Sequence, residues 1–436
     1  MKQLPVNSQY EHAPIMTCSF SAMKAARRHP VNKTSTARNS HGRGALLVTA
    51  AIFLISISFN TVLAHPAPIS GAERTLHLAL HSEVLEESRV FRVRLPAAYD
   101  QSPDERLPVF YVTDADWNFE LVAGTLDYLA RWGRIPAFIV VGAMNVSRNR
   151  DFLPREDAAF PSSGGGDRYL EHIEQELIPW IDERFRTSEE RVLFGHSFGG
   201  VLVINQLLAN PTAFDAYIAL GTSFWVADEV LLERAENVLE RGPALEGWLY
   251  LSVGEGDGGA TVPAGRQFAD LLEFHAPAAL DWTHTVMPEE THFTNVPISL
   301  HHALSKLFPT WGDDQSLFEA GESGDSEAVE RWFAERRNQL GWRFVPQALD
   351  LGLAALRLTL GGHEDAGLTA LDLLAETMPS NPTIAQLRGQ ALAGLGRTEA
   401  ALAAIDQAIS LGRRAGYHPD QLQRFENYRT RLIEER

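Results

Sequence analysis

Between residues 74 and 309 the chain repeats one pattern, a short β-rich run followed by a longer stretch with apolar residues at helical spacing. Several of these runs are continuously apolar, as in residues 136–143 (PAFIVVGA) and 217–220 (YIAL). A strand that is apolar on both sides needs cover on both faces, which a parallel sheet between two helical layers supplies. The predicted strands are Thr75–Leu80, Val90–Leu95, Leu107–Val112, Ala137–Val141, Arg191–Phe194, Ala216–Leu220, Trp248–Val253 and Trp282–Met287. The predicted helices are Leu121–Trp132, Tyr169–Phe185, Gly200–Ala209, Glu229–Glu240 and Ala264–His275. The first two strands, joined through Glu86-Glu87-Ser88, read as an antiparallel hairpin. Strand alternating with helix in this way specifies a three-layer α/β sandwich.

After Pro309 the strands stop, and an Ala/Leu-rich helical pattern runs to Arg436. A period of 34 residues is visible there: Leu358, Gly362, Ala366, Ala370 and Leu371 recur as Leu392, Gly396, Ala400, Ala404 and Ile405. Small residues at helix crossings and glycine at the turn are what a tetratricopeptide-like hairpin requires. The expected organisation is a leader over 1–64, an α/β domain over 65–309 and an all-α, tetratricopeptide-like domain over 310–436.

The leader is a basic stretch ending at Arg43, then an apolar run from Ala45 to Ala64 that closes on Val62-Leu63-Ala64 before Pro66 and Pro68. Positive flank, apolar centre and small-residue exit describe a secretory signal peptide, with Met23 as an alternative start. About 20 apolar residues also span a bilayer, so a retained leader would be a membrane anchor. Both readings place the body outside the cytoplasm, periplasmic or secreted. The single cysteine, Cys18, falls within the leader, so no disulfide framework or Cys-based zinc site is expected. Residues 1–64 carry a formal charge of +6 and residues 65–436 carry −24. A body that acidic repels phosphate backbones, which disfavours nucleic acid as a partner.

The strongest chemical signal is Gly195-His196-Ser197-Phe198-Gly199, with Gly200 following, placed between a predicted strand and an apolar helix. In that setting the glycines permit a tight turn that lifts Ser197 above the sheet edge, with a helix N-terminus behind it. A serine nucleophile needs a base and the base needs an orienting acid, in the chain order Ser, acid, His. Of the histidines downstream, His275 and His284 lie in a helix and a strand, and His301 and His302 in a helix leading away. His292 follows a strand in a polar loop and is the expected base. The acid comes from the loop after Trp248–Val253, where Glu255 and Asp257 both qualify. An oxyanion hole would use the backbone N–H of Phe198 and one from the loop after Leu107–Val112, that of Asp116 or its neighbour Ala115.

Two motif matches fail on physical grounds. Gly254–Gly259 spells G-x-G-x-x-G, but Glu255 and Asp257 would set two carboxylates against a pyrophosphate. Asp114, Asp116 and Asn118 imitate the start of a calcium loop, but Phe119 stands where glycine is needed. No metal or organic cofactor is called for.

Taken together, several stretches are similar to the esterase D-type esterases, an α/β-hydrolase branch that includes siderophore and feruloyl esterases. They are Leu107–Val112 with Asp114-Ala115-Asp116, Val140-Val141-Gly142, Arg150–Pro154, Glu176–Ile181, Gly195–Gly200, Gly221–Trp225 and Glu290-Thr291-His292. The resemblance covers about residues 74–309. It implies an α/β-hydrolase fold and a Ser–acid–His triad on Ser197, Asp257 and His292, with Arg150 and Trp225 near the substrate. It departs at Asp114-Ala115, where the family carries Asp-Gly. The reading is an exported serine esterase for a small-molecule ester. An acyltransferase with the same triad, or a hydrolase-fold binding protein recruiting a protein partner through its helices, are the alternatives.

Overall fold

The structure, a computed structural model, describes residues 74–101, 106–241, 245–309, 311, 314–338 and 348–435. The predicted leader lies outside them. All eight predicted strands are present: β1 (Arg74–Ser82), β2 (Glu87–Leu95), β3 (Leu107–Val112), β4 (Ile139–Ala143), β5 (Thr187–His196), β6 (Ala216–Leu220), β7 (Gly247–Gly254) and β8 (Leu280–Met287). They form one sheet in the order β1-β2-β4-β3-β5-β6-β7-β8. Strands β4, β3, β5, β6, β7 and β8 are parallel neighbours in turn, while β2 runs antiparallel to β1 and to β4.

Burial follows the sequence logic. Strands β3 and β6 are buried at every residue, whereas the edge strand β1 alternates. On one face Val109, Tyr111, Leu193, Tyr217 and Leu249 share a core with Leu170, Ile173, Leu177, Ile181, Val201 and Phe268 of the covering helices. The opposite face carries an aromatic line in which Phe110 meets Phe138 and Phe194, and Phe138 meets Phe308. The helix Phe198–Ala209 is buried from Phe198 to Leu208, as a mostly apolar sequence in a sheet's covering layer should be, and its two polar residues, Asn205 and Gln206, bond to Asp167 and Glu174.

Two local expectations are corrected. The β1–β2 turn is Glu83–Glu86, not Glu86-Glu87-Ser88, because Glu87 and Ser88 pair with Ser82 and His81. The turn itself is tied down from below. Glu176 accepts the N–H groups of Glu83 and Val84 at 2.8 and 3.0 Å and contacts His172 Nδ1 at 2.6 Å. The predicted helix Tyr169–Phe185 is two α segments, Gly166–His172 and Ile178–Arg184, joined by a π turn over Ile173–Leu177. Pro179 supplies the reason: it has no N–H to give and its ring pushes the preceding turn open.

The C-terminal region is helical throughout its described residues. Helices starting at Asp314, Ala348 and Pro382 stand 34 residues apart, and each is followed by a second helix, Ser326–Asn338, Glu364–Thr377 and Thr398–Arg414. Helices pack within each pair, and Asp314–Glu322 packs against Ala348–Leu360, Ser326–Asn338 against Glu364–Thr377 and Ala348–Leu360 against Pro382–Gly394. The array of described residues thus holds three hairpins where the sequence displayed two, with Pro419–Glu434 lying against the last. Among the described residues no helix is long and apolar enough to cross a membrane.

Behind β2 sits a buried ion cluster. Arg89, 1% exposed, donates to Asp151 Oδ2 at 2.8 Å. Arg150 bridges Asp151 Oδ1 at 2.8 Å and Glu87 Oε1 at 2.6 Å. Removing one partner of such a cluster strands a desolvated charge and costs about 3–5 kcal/mol. Asp151→Ala should therefore lose stability on that scale in urea denaturation, whereas Asp100→Ala, at an exposed pair with Arg74, should lose less than about 1 kcal/mol.

Candidate active site

The motif glycines are explained by what surrounds them. A Cβ on Gly195 would lie 2.1 Å from Gly199 O, one on Gly199 2.3 Å from Thr113 Oγ1, and one on Gly200 2.5 Å from Thr222 Oγ1. No side chain fits at any of the three, so the elbow helix is pressed directly on the loops after β3 and β6. Ser197 at the apex has φ 60° and ψ −115°, outside the regions that L-residues normally occupy. Its N–H is fixed to Leu220 O at 2.9 Å.

The acid and base arrive from neighbouring strands. His292 follows β8, and its Nδ1 donates to Asp257 Oδ2 at 2.8 Å. A neutral imidazole that donates from Nδ1 presents Nε2 as an acceptor. Asp257 is 8% exposed, which strengthens the charge-assisted bond. The two loops are stitched by main chain, Glu255 N–H to Met287 O at 2.9 Å and Gly256 N–H to Glu290 O at 2.8 Å. A Cβ on Gly254 would sit 2.4 Å from Glu290 O, so only glycine allows the approach. The G-x-G of that loop thus serves loop packing. Of the two candidate acids, the structure brings Asp257 to His292, and the Glu255 carboxylate turns to Glu289 N at 3.3 Å.

His196, inside the motif but unassigned in the sequence reading, joins elbow to base. Its ring lies 4.5 Å from that of His292, and its Nε2 donates to His292 O at 2.8 Å. Burial first, then the nearby His292, pushes its pKa down to about 4. The position corresponding to a Cβ on Gly221 is 3.3 Å from His292 Nδ1 and 3.4 Å from Asp257 Oδ2, so this backbone packs under the pair. Ser223, from the same loop, brings its Oγ within 3.4 Å of Ser197 Oγ.

Phe198 opens the elbow helix, and Ala115 opens the helix Ala115–Arg131 that follows β3. Asp114 O takes the N–H groups of Trp117 and Asn118, both at 3.0 Å. First-turn amides have no acceptor within their own helix, so the N–H groups of Phe198, Ala115 and Asp116 are available as donors. Asp114 itself is left-handed, with φ 53°, while Ala115 is helical, which is how the chain accommodates Asp-Ala in place of Asp-Gly.

Trp225 lies beside the elbow. It is 37% exposed, donates to Thr261 Oγ1 at 3.2 Å, and meets Phe160, whose ring is 4.9 Å from that of Phe198. Arg150 differs: its guanidinium is engaged with Glu87 and Asp151 in the ion cluster, and this holds its pKa above the ordinary arginine range. Arg148, two residues earlier, is the cation at the elbow, 4.8 Å from the Phe198 ring. Among the described residues no group of three or more His, Cys, Asp or Glu side chains is arranged to hold a metal ion. The acids of the apparent calcium loop have other partners, Asp114 with Arg148 and Asn145, and Asp116 with Asn145 N–H.

With nucleophile turn, base and acid at the carboxyl ends of β5, β8 and β7, the comparisons with known proteins become specific. Residues 82–295 match the model of the family described as "Putative esterase". The matched stretch takes in most of the α/β domain, which is similar to that family. Among curated relatives, the ferri-bacillibactin esterase of Bacillus subtilis is 28% identical over 172 residues, 35% of this chain and 60% of its own length. The siderophore triacetylfusarinine C esterase of Aspergillus fumigatus is 28% identical over 168 residues, 35% of this chain and 58% of its own. The match therefore spans about three fifths of these relatives. Among solved structures, an IroE-like serine hydrolase from Shewanella oneidensis shares 26% identity at a TM-score of 0.58, covering 72% of this chain and 99% of that one. The α/β domain is accordingly similar in fold to a serine hydrolase and in sequence to siderophore esterases.

Two outcomes follow from the geometry. Losing the acid frees the imidazole to adopt the wrong tautomer, so Asp257→Asn should lower kcat for ester hydrolysis by up to ~10⁴-fold, with Glu255→Gln costing less than about tenfold; steady-state kinetics of the two variants decide. His196 is kept neutral in the folded chain, so its contribution to stability is present above its ordinary pKa of 6.5 and is lost as pH falls toward about 4, where the unfolded chain takes up a proton the folded one refuses. Between neutral pH and about pH 4.5, urea denaturation should show the wild type losing more stability than His196→Gln.

Proposed function

We propose that this protein is an exported serine esterase that cleaves an ester-linked siderophore through an acyl-enzyme on Ser197. The observation that carries the chemistry is the His292–Asp257 bond beside a serine held in a left-handed turn. His292 Nε2 takes the Ser197 proton as Oγ attacks the ester carbonyl. The carbonyl oxygen gathers negative charge against the N–H of Phe198 and of Asp116 or Ala115. As the tetrahedral adduct collapses, His292 returns the proton to the leaving alcohol; water then repeats the sequence and releases the acid.

The substrate class rests on the relatives, named for bacillibactin and triacetylfusarinine C, and on the aromatic side chains near the site. Trp117 follows Asp116 and is 67% exposed, and Phe293 follows His292 and is 76% exposed. Such rings suit a large, multi-armed ligand. Export rests on the leader pattern of residues 1–64. The C-terminal hairpins read as a tetratricopeptide-like accessory, since none of the residues given a chemical role lies beyond His292.

A fluorophosphonate probe should label the wild type and leave Ser197→Ala unlabelled. The wild type should also release acid and alcohol fragments from a trilactone siderophore, resolved by liquid chromatography. Equal labelling of both proteins would end the nucleophile assignment. Labelling confined to the wild type, with simple aryl esters cleaved and siderophores left intact, would retain the esterase and discard the substrate.

A further inference from the structure

The two halves of the oxyanion hole come from loops far apart in sequence, and one side chain touches both. Arg148 grips Asp114 as a fork, Nε to Oδ1 at 2.7 Å and Nη2 to Oδ2 at 2.8 Å. Its guanidinium carbon lies 4.8 Å from the ring of Phe198 and 5.2 Å from that of Trp117. Asp114 is fully buried and left-handed, and it is the residue from which the helix carrying Ala115 and Asp116 springs. Asn145 reinforces the same joint, its Nδ2 donating to Asp114 Oδ1 at 2.7 Å and its N–H to Asp116 Oδ2 at 2.8 Å. On the far side, a Cβ on Gly199 would come within 3.3 Å of Asp114 Oδ2, so the missing side chain lets the elbow backbone pack close to the carboxylate.

We infer that Arg148 is a positioning residue for the oxyanion hole: by forking onto Asp114 and lying on Phe198, it fixes the separation between the Phe198 N–H and the N–H donors of the β3 loop. A planar fork is needed for the first contact and a flat cation for the second, which lysine does not provide. An oxyanion hole works only if both donors are in place before charge develops. Arg148 thus acts on the transition state through the donors, so for a small aryl ester its loss falls on kcat rather than on KM. The inference rests on the serine-esterase reading above, and it adds a residue to which the sequence reading gave no role.

Arg148→Ala, Arg148→Lys, Asp114→Asn and the double variant R148A/D114N test it on an aryl ester, with circular dichroism and thermal unfolding establishing that each is folded at the assay temperature. Removal of one oxyanion donor lowers kcat about 10²–10³-fold, and a displaced donor approaches the lower figure. Arg148→Ala should thus lose about 10²-fold in kcat, with KM within about threefold of wild type, and Arg148→Lys should stay within about tenfold of Arg148→Ala. The double variant should fare no worse than the poorer single one, because both remove one joint. Affinity for an aryl boronic acid, which forms a tetrahedral adduct on the serine, should fall in step with kcat/KM. Unchanged kcat, a loss residing in KM, full activity of Arg148→Lys, or multiplicative losses in the double variant would each overturn the clamp. If Arg148→Ala does not fold, Arg148→Lys and Asp114→Asn decide by the same criteria. A wild type that neither hydrolyses esters nor takes the fluorophosphonate probe overturns the esterase reading and the clamp with it. An active wild type beside an unimpaired Arg148→Ala overturns the clamp alone.

Discussion

A serine at φ 60° is unfavourable wherever it occurs, and the region around Ser197 is built to make it the only conformation available. Three glycines let the backbone of the elbow helix touch Gly195, Thr113 and Thr222 where any side chain would intervene. The N–H of Ser197 is held by the last residue of β6, and its carbonyl by Val201 in the helix. Strain concentrated at one residue is thereby opposed by contacts spread over three strands. A strand buried on both sides makes a stiff support for it, which is why the fully apolar β3 and β6 flank β5.

The same economy appears at the sheet's antiparallel end. Arg89 and Asp151 bury opposite charges behind β2, and Asp151 sits in the short helix Arg148–Phe152 that also carries Arg148. An ion cluster with no catalytic geometry of its own therefore sets where a residue of the site begins. At the β1–β2 turn, Glu176 is held well below the usual carboxylate range, at about 2, despite its own desolvation, by His172, Ser82 and the turn's N–H groups. Both devices anchor an edge that the continuous apolar runs of the central strands cannot reach.

How far the sequence was legible depends on whether a feature is local. The eight strands could be read because each carries its own apolar run, and the strand–turn–helix at Ser197 and the loop placement of His292 because each sits in a telling local context. The β1–β2 turn was misplaced because Glu87 and Ser88 look like turn residues yet pair in an edge strand, where polar side chains have water to face. The π turn was invisible because a helical stripe survives it: Leu170, Ile173, Leu177, Ile178 and Ile181 are all buried. Which of Asp257 and Glu255 faces His292 depends on a side-chain bond to a loop some thirty residues away, which no spacing encodes. His196 and Arg148 escaped for the same reason, since their partners lie 96 and 34 residues off. The third helical hairpin was hidden because its second helix starts at Ser326, 38 residues before Glu364, breaking a 34-residue period.

The loops bearing Asp257 and His292 are joined through carbonyl and amide groups, with glycine at the closest point. Main-chain bonds do not depend on which side chains the joined residues carry. The side chains of Glu255, Glu289 and Glu290 line those loops without touching the acid–base contact, so they are free to drift under mutation while the imidazole stays where it is. A lineage could in this way exchange one ligand for another by altering the lips of the cleft. The hydrolytic machinery would pass unchanged from ancestor to descendant.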